Sequence, residues 1–472
     1  MKEKLLKIKL PDTVVLLFSI VVLMAVLTWI LDGGEYAYKT VNGRSLIVPG
    51  SYQEVDSVPQ GIGAILKAPI SGFIKAANII AFILIVGGAF YVIQKTGAID
   101  AFIKKIALMH KQSATMRAVF IPITMTVFSL LGSVYGMSEE VIPFILIFVP
   151  LAISLGYDSI VGVAIPFVGA GAGFAGAFLN PFTVGIAQGI AGLPPFSGME
   201  YRLLVWLITT TTVILFVVLY GRKIENNPRK SPMYEIDNYW RKRELQENNV
   251  NVGTQVMLKS HKAILLLFSL SIVTLIIGVI YFGWYIKEIA ALFLGLGLLA
   301  GIISHLNANE IGAAFVEGAA QLVNVAFIIA LAHSILIIAT DGRIIDAILF
   351  HLSGLIRGIH PVISAQLMFL VQSMINVLVP SGSGQAALSM PIMAPLSDIL
   401  GLTRQTAVLA FQFGDGFTNL IIPTSGVTMG VLGLARIPFQ KWFAWMLPLM
   451  IILFVAGMIM LIPPVLINWG PF

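Results

Sequence analysis

Glu139, Glu140 and Asp415 sit inside long apolar stretches, each beside glycines and hydroxyl side chains. An ionisable side chain at membrane depth is expensive, and such residues serve ligands, ions or protons. Glu139 and Glu140 follow Gly132-Ser133-Val134-Tyr135-Gly136-Met137-Ser138 and precede Pro143. Their carboxylates can bind an ammonium or guanidinium group, hold Na⁺ or carry a proton. The plainer role is to cap the next helix at a water-filled mouth. A matching stretch runs Pro380-Ser381-Gly382-Ser383-Gly384-Gln385 and then Pro391. It offers two hydroxyls, an amide and bare backbone N–H groups, and its glycines let a ligand approach the backbone closely. Asp415 lies between Gly414 and Gly416, with Thr418, Asn419, Thr424 and Ser425 following as oxygen donors of the kind Na⁺ takes. The corresponding first-half stretch supplies Asn180 and Thr183, with Gln188 beyond. The expected site is therefore Ser133, Gly136, Ser138, Glu139, Glu140, Asn180, Thr183, Ser381, Gly382, Ser383, Gly384, Gln385, Asp415, Thr418, Asn419, Thr424 and Ser425. A Na⁺ ion at the two tips is compatible with these donors. No cofactor is called for.

Such residues need a membrane scaffold that bends in the right places. The chain has 472 residues, 58% hydrophobic and only 11% charged. Soluble domains carry about 25% charged residues, so this is a bilayer protein. Without cysteine there is no disulfide, thiolate metal site or thiol nucleophile. The net charge of +6 is gathered in short loops, the pattern that orients membrane helices rather than one that binds nucleic acid. The basic N-terminus leads into an apolar run from Val14 to Ile30 with no small-x-small cleavage pattern, which reads as an uncleaved first helix.

Periodicity then gives the remaining elements. A polar loop over 32–62 is mostly acidic and suits the outside. A span over 74–93 is followed by an amphipathic helix, with Ile99, Phe102, Ile103 and Ile106 on one face, expected to lie along the interface. Two broken segments come next: a hairpin over about 115–155 and an interrupted helix over about 158–190, the latter containing Gly169-Ala170-Gly171-Ala172-Gly173 and Asn180-Pro181-Phe182-Thr183. A span over 203–220 closes a first unit, 1–220. The basic segment 221–262 reads as a solvated cytoplasmic loop with no site of its own. A linker span over 263–283 leads to a second unit, 284–472, with a hairpin over about 360–400 and an interrupted helix over about 404–434.

Three echoes relate the units. Phe73-Ile74-Lys75-Ala76-Ala77 is answered from Phe315, Gly97-Ala98-Ile99-Asp100-Ala101 from Gly342, and the Gly136/Pro143 pair by Gly384/Pro391. If the hairpins re-enter rather than cross, each unit crosses four times and the linker once. The second unit then starts on the opposite side from the first. The expected fold is an all-α polytopic membrane protein of about nine crossings, built as an inverted repeat with two re-entrant hairpins and two interrupted helices. Its N-terminus is cytoplasmic and its C-terminus outside. Broken helices in corresponding places of two halves mark the binding site of secondary transporters. His333, within an apolar span, reads as a helix-packing residue with a proton relay as the alternative, Glu317 as a residue near a helix end and Asp158 as a helix cap. A channel fits the broken helices less well than a closed, acid-lined site. Ser381-Gly382-Ser383-Gly384 only faintly matches an intramembrane serine protease, and no enzyme is expected.

Several longer motifs carry a family likeness. Ser138-Glu139-Glu140-Val141-Ile142-Pro143-Phe144, Leu155-Gly156-Tyr157-Asp158-Ser159, the run Gly169 to Gly176 into Asn180-Pro181-Phe182-Thr183-Val184-Gly185, and Gln412 through Asn419 resemble the YfcC-type carriers of the ion-transporter superfamily. The resemblance covers nearly the whole chain. It implies a homodimer in the bacterial cytoplasmic membrane, whose hairpins and interrupted helices move as an elevator and bind a carboxylate-bearing solute with a coupling cation or counter-substrate. Some members are linked to arginine/ornithine exchange, and neighbouring branches carry C4-dicarboxylates. The acids at the tips, with no Lys or Arg among them, tilt the expectation towards a basic amino acid. A C4-dicarboxylate or short-chain organic acid coupled to Na⁺ or H⁺ is the alternative.

Overall fold

A computed structural model describes residues 13–41, 44–48, 50–242, 257–282, 284, 286–354 and 360–470. Among these, the first apolar run forms α1 (Thr13–Ile30). The 32–62 loop is not featureless within this otherwise all-helical fold. It folds into two small antiparallel ladders, β1 (Gly33–Glu35) with β4 (Gln53–Val55) and β2 (Tyr38–Val41) with β3 (Arg44–Ile47). Short strands need an anchor to persist, and one is present. Asp346 accepts hydrogen bonds from Tyr36 N at 3.0 Å and from the Tyr38 hydroxyl at 2.9 Å, and Tyr52 stacks on Phe350.

The chain continues as α2 (Ile62–Lys75), α3 (Ala77–Lys95), α4 (Ala98–Gln112), α5 (Ala114–Tyr135), α6 (Ile142–Ser154), α7 (Ser159–Val163), α8 (Gly169–Ala175), α9 (Val184–Ile190) and α10 (Met199–Asn226). After the 227–258 segment come α11 (Lys259–Phe282), α12 (Ile286–Ile303), α13 (Ala308–Ala320), α14 (Val323–Asp341), α15 (Ile345–Gly354), α16 (Pro361–Leu378), α17 (Gly382–Ile399), α18 (Arg404–Thr418), α19 (Gly426–Ala435), α20 (Phe439–Met460) and α21 (Ile462–Leu466). The segments expected as hairpins are α5–α6 and α16–α17, and those expected as interrupted helices are α7–α9 and α18–α19; these labels are kept below. Eight of the described helices are long and apolar enough to cross a membrane, and the first arm of each hairpin is among them.

Packing gathers the helices into two clusters, which meet where α14 packs on α19 and α3 on α6. In one, α14 packs on α1 and α2, and α3 packs on α12 and α13. In the other, α5 packs on α8, α18 on α16 and α17, and α8 on α10 and α18. Small residues at both interfaces let helix backbones meet, as apolar helices in lipid require. A Cβ on Gly416 would fall 2.5 Å from the Ala175 Cα, and one on Gly414 2.5 Å from the Gln372 Cβ. Pro166 cannot donate an amide hydrogen bond, and a π-turn over Ala164–Val168 absorbs the lost bond between α7 and α8.

Two sequence expectations are corrected by packing. The helix around Ile99 and Ile103 buries both side chains, and α4 packs on α6 and α11. The 221–262 segment is not simply a solvated loop. Its first part, 227–242, is a docked strap: Ser231 Oγ and the Tyr220 hydroxyl each donate to Asp158 at 2.6 Å, Asp237 accepts from Ser159 N at 3.0 Å, and Trp240 Nε1 donates to Ala435 O at 3.3 Å. Asp158 also caps α7 through Val161 N at 3.0 Å, the role its position suggests. Residues 243–256 lie outside the described residues.

Candidate functional site

The first hairpin tip begins where α5 ends. Gly136 takes φ +80°, so its N–H and that of Met137 turn back to Gly132 O and Leu131 O. A short 3₁₀ turn over Glu139–Val141 then leads into α6, and Glu140 accepts a hydrogen bond from Ser138 N at 2.9 Å. The second tip is simpler. Ser381 caps α17 by accepting from Gly384 N at 3.3 Å, and Gln385 N donates to Ser381 O at 2.6 Å. The N–H groups of Gly382 and Ser383, in the first turn, have no acceptor within the helix.

Each tip abuts a break in the neighbouring interrupted helix. Leu179 N and Phe178 N, freed where α8 ends, donate to Ser133 O at 3.2 Å and Ser133 Oγ at 3.4 Å. Asn180 Oδ1 accepts from Phe182 N at 2.8 Å, and a Cβ on Gly136 would collide with the Asn180 side chain. In the second half, Asn419 Nδ2 donates to Asp415 Oδ1 at 2.8 Å, and Asn376 Nδ2 donates to Thr418 Oγ1 at 2.7 Å. The other carboxylate oxygen of Asp415 is buried without a partner and faces Gly382, where a Cβ would come within 2.8 Å of it. Gln412 Nε2 reaches Phe174 O at 2.5 Å and ties the two interrupted helices together.

The two tips and two breaks converge on one cavity of about 330 Å³. The first half contributes Gly136, Ser138, Glu139, Glu140 and Thr183; the second contributes Ser381, Gly382, Ser383, Asn419 and Ser425. Phe174, Phe182 and Ile186 add apolar wall, and neither Lys nor Arg is among the lining residues. The rest of the expected set lies behind this surface. Ser133, Asn180 and Thr418 hold the breaks, and Asp415 stands behind Gly382. Thr424 is buried, with its hydroxyl unpartnered. Gln385 is occupied by Gln372, donating at 2.8 Å to its carbonyl and at 2.7 Å to its side chain, so it staples the hairpin arms instead of facing a ligand. Gly384 is committed to the Ser381 cap.

Other contributors escaped sequence reasoning. Asn376 and Gln372 are lone amides in an apolar helix with no broken motif around them. His333 reads from sequence as a packing residue and does bond within its helix, yet it also lines the cavity. Glu317 forms a surface ion pair with Lys95 at 3.8 Å, away from the cavity. Among the described residues no three His, Asp or Glu side chains cluster as metal ligands.

A cavity lined by acids and hydroxyls between broken apolar helices is the arrangement of a polytopic membrane carrier. The family profile described as "C4-dicarboxylate anaerobic carrier" (DcuC) matches residues 10–466, and the chain belongs to that family. It is 34% identical to the Escherichia coli K12 protein named "Putative basic amino acid antiporter YfcC", over 98% of this chain and 97% of that one. It is 31% identical to an uncharacterized protein of Haemophilus influenzae KW20, over 96% of each. Among solved structures, the YdaH transporter of Alcanivorax borkumensis aligns at 15% identity and TM-score 0.44, covering 98% of this chain and all of that one. MtrF of Neisseria gonorrhoeae, titled as one of a class of antimetabolite efflux pumps, aligns at 18% and TM-score 0.43, covering 96% and 95%. At these scores the overlap is too loose to place residues.

Proposed function

We propose that this carrier exchanges basic amino acids across the cytoplasmic membrane. The observation that carries the reading is the charge of the cavity: Glu139 and Glu140 line it, Asp415 backs it, and neither Lys nor Arg is among its described lining residues. A guanidinium or ammonium group is drawn to such a site. The solute's own carboxylate finds N–H groups at the start of α17, the positive end of a helix dipole. The name of the Escherichia coli relative supports the same substrate class. The mechanism proposed is an elevator. The hairpins and interrupted helices form the moving body, α1–α3 and α11–α14 the fixed one, and 1–220 and 284–472 are inverted repeats flanking a linker span over 263–283. A homodimer holds the fixed part, with the N-terminus inside and the C-terminus outside.

The second reading is C4-dicarboxylate transport with a coupling cation. It is favoured by the family description and by the unpaired oxygens of Asp415, Asn376, Asn419 and Thr424, which can take Na⁺ or a proton. The deciding experiment is uptake of labelled arginine into proteoliposomes loaded with ornithine, with empty and succinate-loaded vesicles alongside. Ornithine-dependent uptake is expected. Succinate exchange, or Na⁺-driven succinate entry without arginine uptake, replaces the first reading with the second.

A further inference from the structure

His333 stands on α14, which packs on α1 and α2 and also on α19, and its side chain lines the cavity that both hairpin tips line. Its Nδ1 is 3.0 Å from the carbonyl oxygen of Ile329, one turn earlier. A carbonyl can only accept, so Nδ1 carries the hydrogen. In the neutral ring Nε2 is then a bare lone pair. No hydrogen bond from a described residue uses it, and the half-buried ring lines the cavity. Packing alone does not require a histidine there: the helix bond at Nδ1 would leave a purely structural ring free to bury Nε2 against lipid or a neighbouring helix. Here it shares the cavity with Glu139 and Glu140 instead.

We infer that His333 is a substrate-binding residue, whose Nε2 accepts a hydrogen bond from the cationic group of a basic amino acid held between the tips and α14. The inference rests on the substrate class proposed above and deepens it. Two carboxylates from a hairpin would neutralise the cation, and a neutral acceptor from the opposite helix group would orient its N–H bonds. The same lone pair would repel the oxygens of a second carboxylate, so His333 selects against dicarboxylates as well as for cations. Because it belongs to the other helix group, its bond would break when the hairpins move away, and it acts on capture and not on the translocation step.

The test is arginine/ornithine exchange by the full chain in proteoliposomes, comparing wild type, His333→Leu and His333→Gln, each first shown to be folded by size exclusion and thermal melting. Loss of one hydrogen bond to a charged group should raise the arginine KM of His333→Leu about tenfold, equivalent to about 1.4 kcal/mol, with maximal exchange within about threefold of wild type. His333→Gln, whose amide oxygen can replace Nε2, should keep KM within about threefold. If His333→Leu does not fold, His333→Met takes its place. An unchanged KM in the apolar variant, or equal impairment of the apolar and Gln variants, overturns the inference and leaves the basic amino-acid reading standing. A wild type that exchanges succinate but neither arginine nor ornithine removes both.

Discussion

The two hairpin tips line the same cavity and differ in chemistry. The first carries its own acids, Glu139 and Glu140, and faces a break whose Asn180 is spent on capping Phe182 N and Thr183 N. The second carries no charge and borrows one: Asp415 comes from the adjacent break and reaches the tip only because Gly382 has no side chain. Matching sequence motifs therefore do not imply matching chemistry. Each half supplies the turn, the cap and the broken helix, while charge is placed on the tip in one half and behind it in the other. A solute lying between them meets carboxylates from one side and open backbone from the other, which suits a molecule that is itself an ion at both ends.

This asymmetry can be broken in order of effect. Asp415→Asn removes the one charge that backs the second tip; if the carboxylate serves solute or coupling ion, exchange should fall about 100-fold, as loss of a strong charged contact does, with the protein still folded. Wild-type rates in this variant would demote Asp415 to a helix-kink residue. Gly382→Ala comes next. Its Cβ would meet Thr183 Cγ2 at 2.5 Å and Asp415 Oδ2 at 2.8 Å, whereas that of Gly384→Ala would meet only Ser381 at 3.1 Å. Exchange should drop about 30-fold in the first and less than about threefold in the second, measured side by side.

Within the first tip the two glutamates should separate. Glu140 is engaged with Ser138 N, and a glutamine can accept that bond, so Glu140→Gln should raise the arginine KM only about threefold. Glu139→Gln, which removes a charge from the cavity wall, should raise it about tenfold. Equal effects would mean the pair acts as one charge.

The smallest effect belongs to an acid away from the tips. Burial, with the nearby charge of Asp158 adding to it, pushes the Asp237 carboxyl up to about 6 from the usual 3.8. Its docked form prefers the proton, so strap docking is strongest below the ordinary carboxylate range and weakens as pH rises through about 6. Amide exchange of residues 228–242, corrected for intrinsic rates, should show more protection at low pH than above neutrality. Asp237→Asn should lose most of that response while exchanging arginine at the wild-type rate. A transport defect in Asp237→Asn would mean that buried acids outside the tips also matter, and the contrast between the tips would lose its force.

Much of this was legible in the residues. Gly/Ser/Pro clusters inside apolar runs mark broken helices because a membrane helix has no other way to free its backbone groups. That signal alone locates both tips, both breaks and the acids beside them. The ladders of the 32–62 loop were not legible, since their strands are only three or four residues long and held by Asp346 from about 300 positions away. The strap was hidden for a related reason. Its basic composition reads as solvated, yet a few buried contacts, Asp158 with Ser231 and Trp240 with Ala435, dock it.

By itself the sequence determined that the chain is a membrane carrier with two interrupted units, and which segments bend. Composition and Gly/Pro placement are local properties, and local energetics suffice to read them. Tertiary structure decided which side chains see the cavity. Gln385 turns into the hairpin because Gln372 is there to receive it, Asp415 reaches the tip through the gap at Gly382, and His333 faces the site from a helix with no motif around it. Each of those outcomes depends on which residue lies opposite across a helix interface, and that is set only when the chain packs.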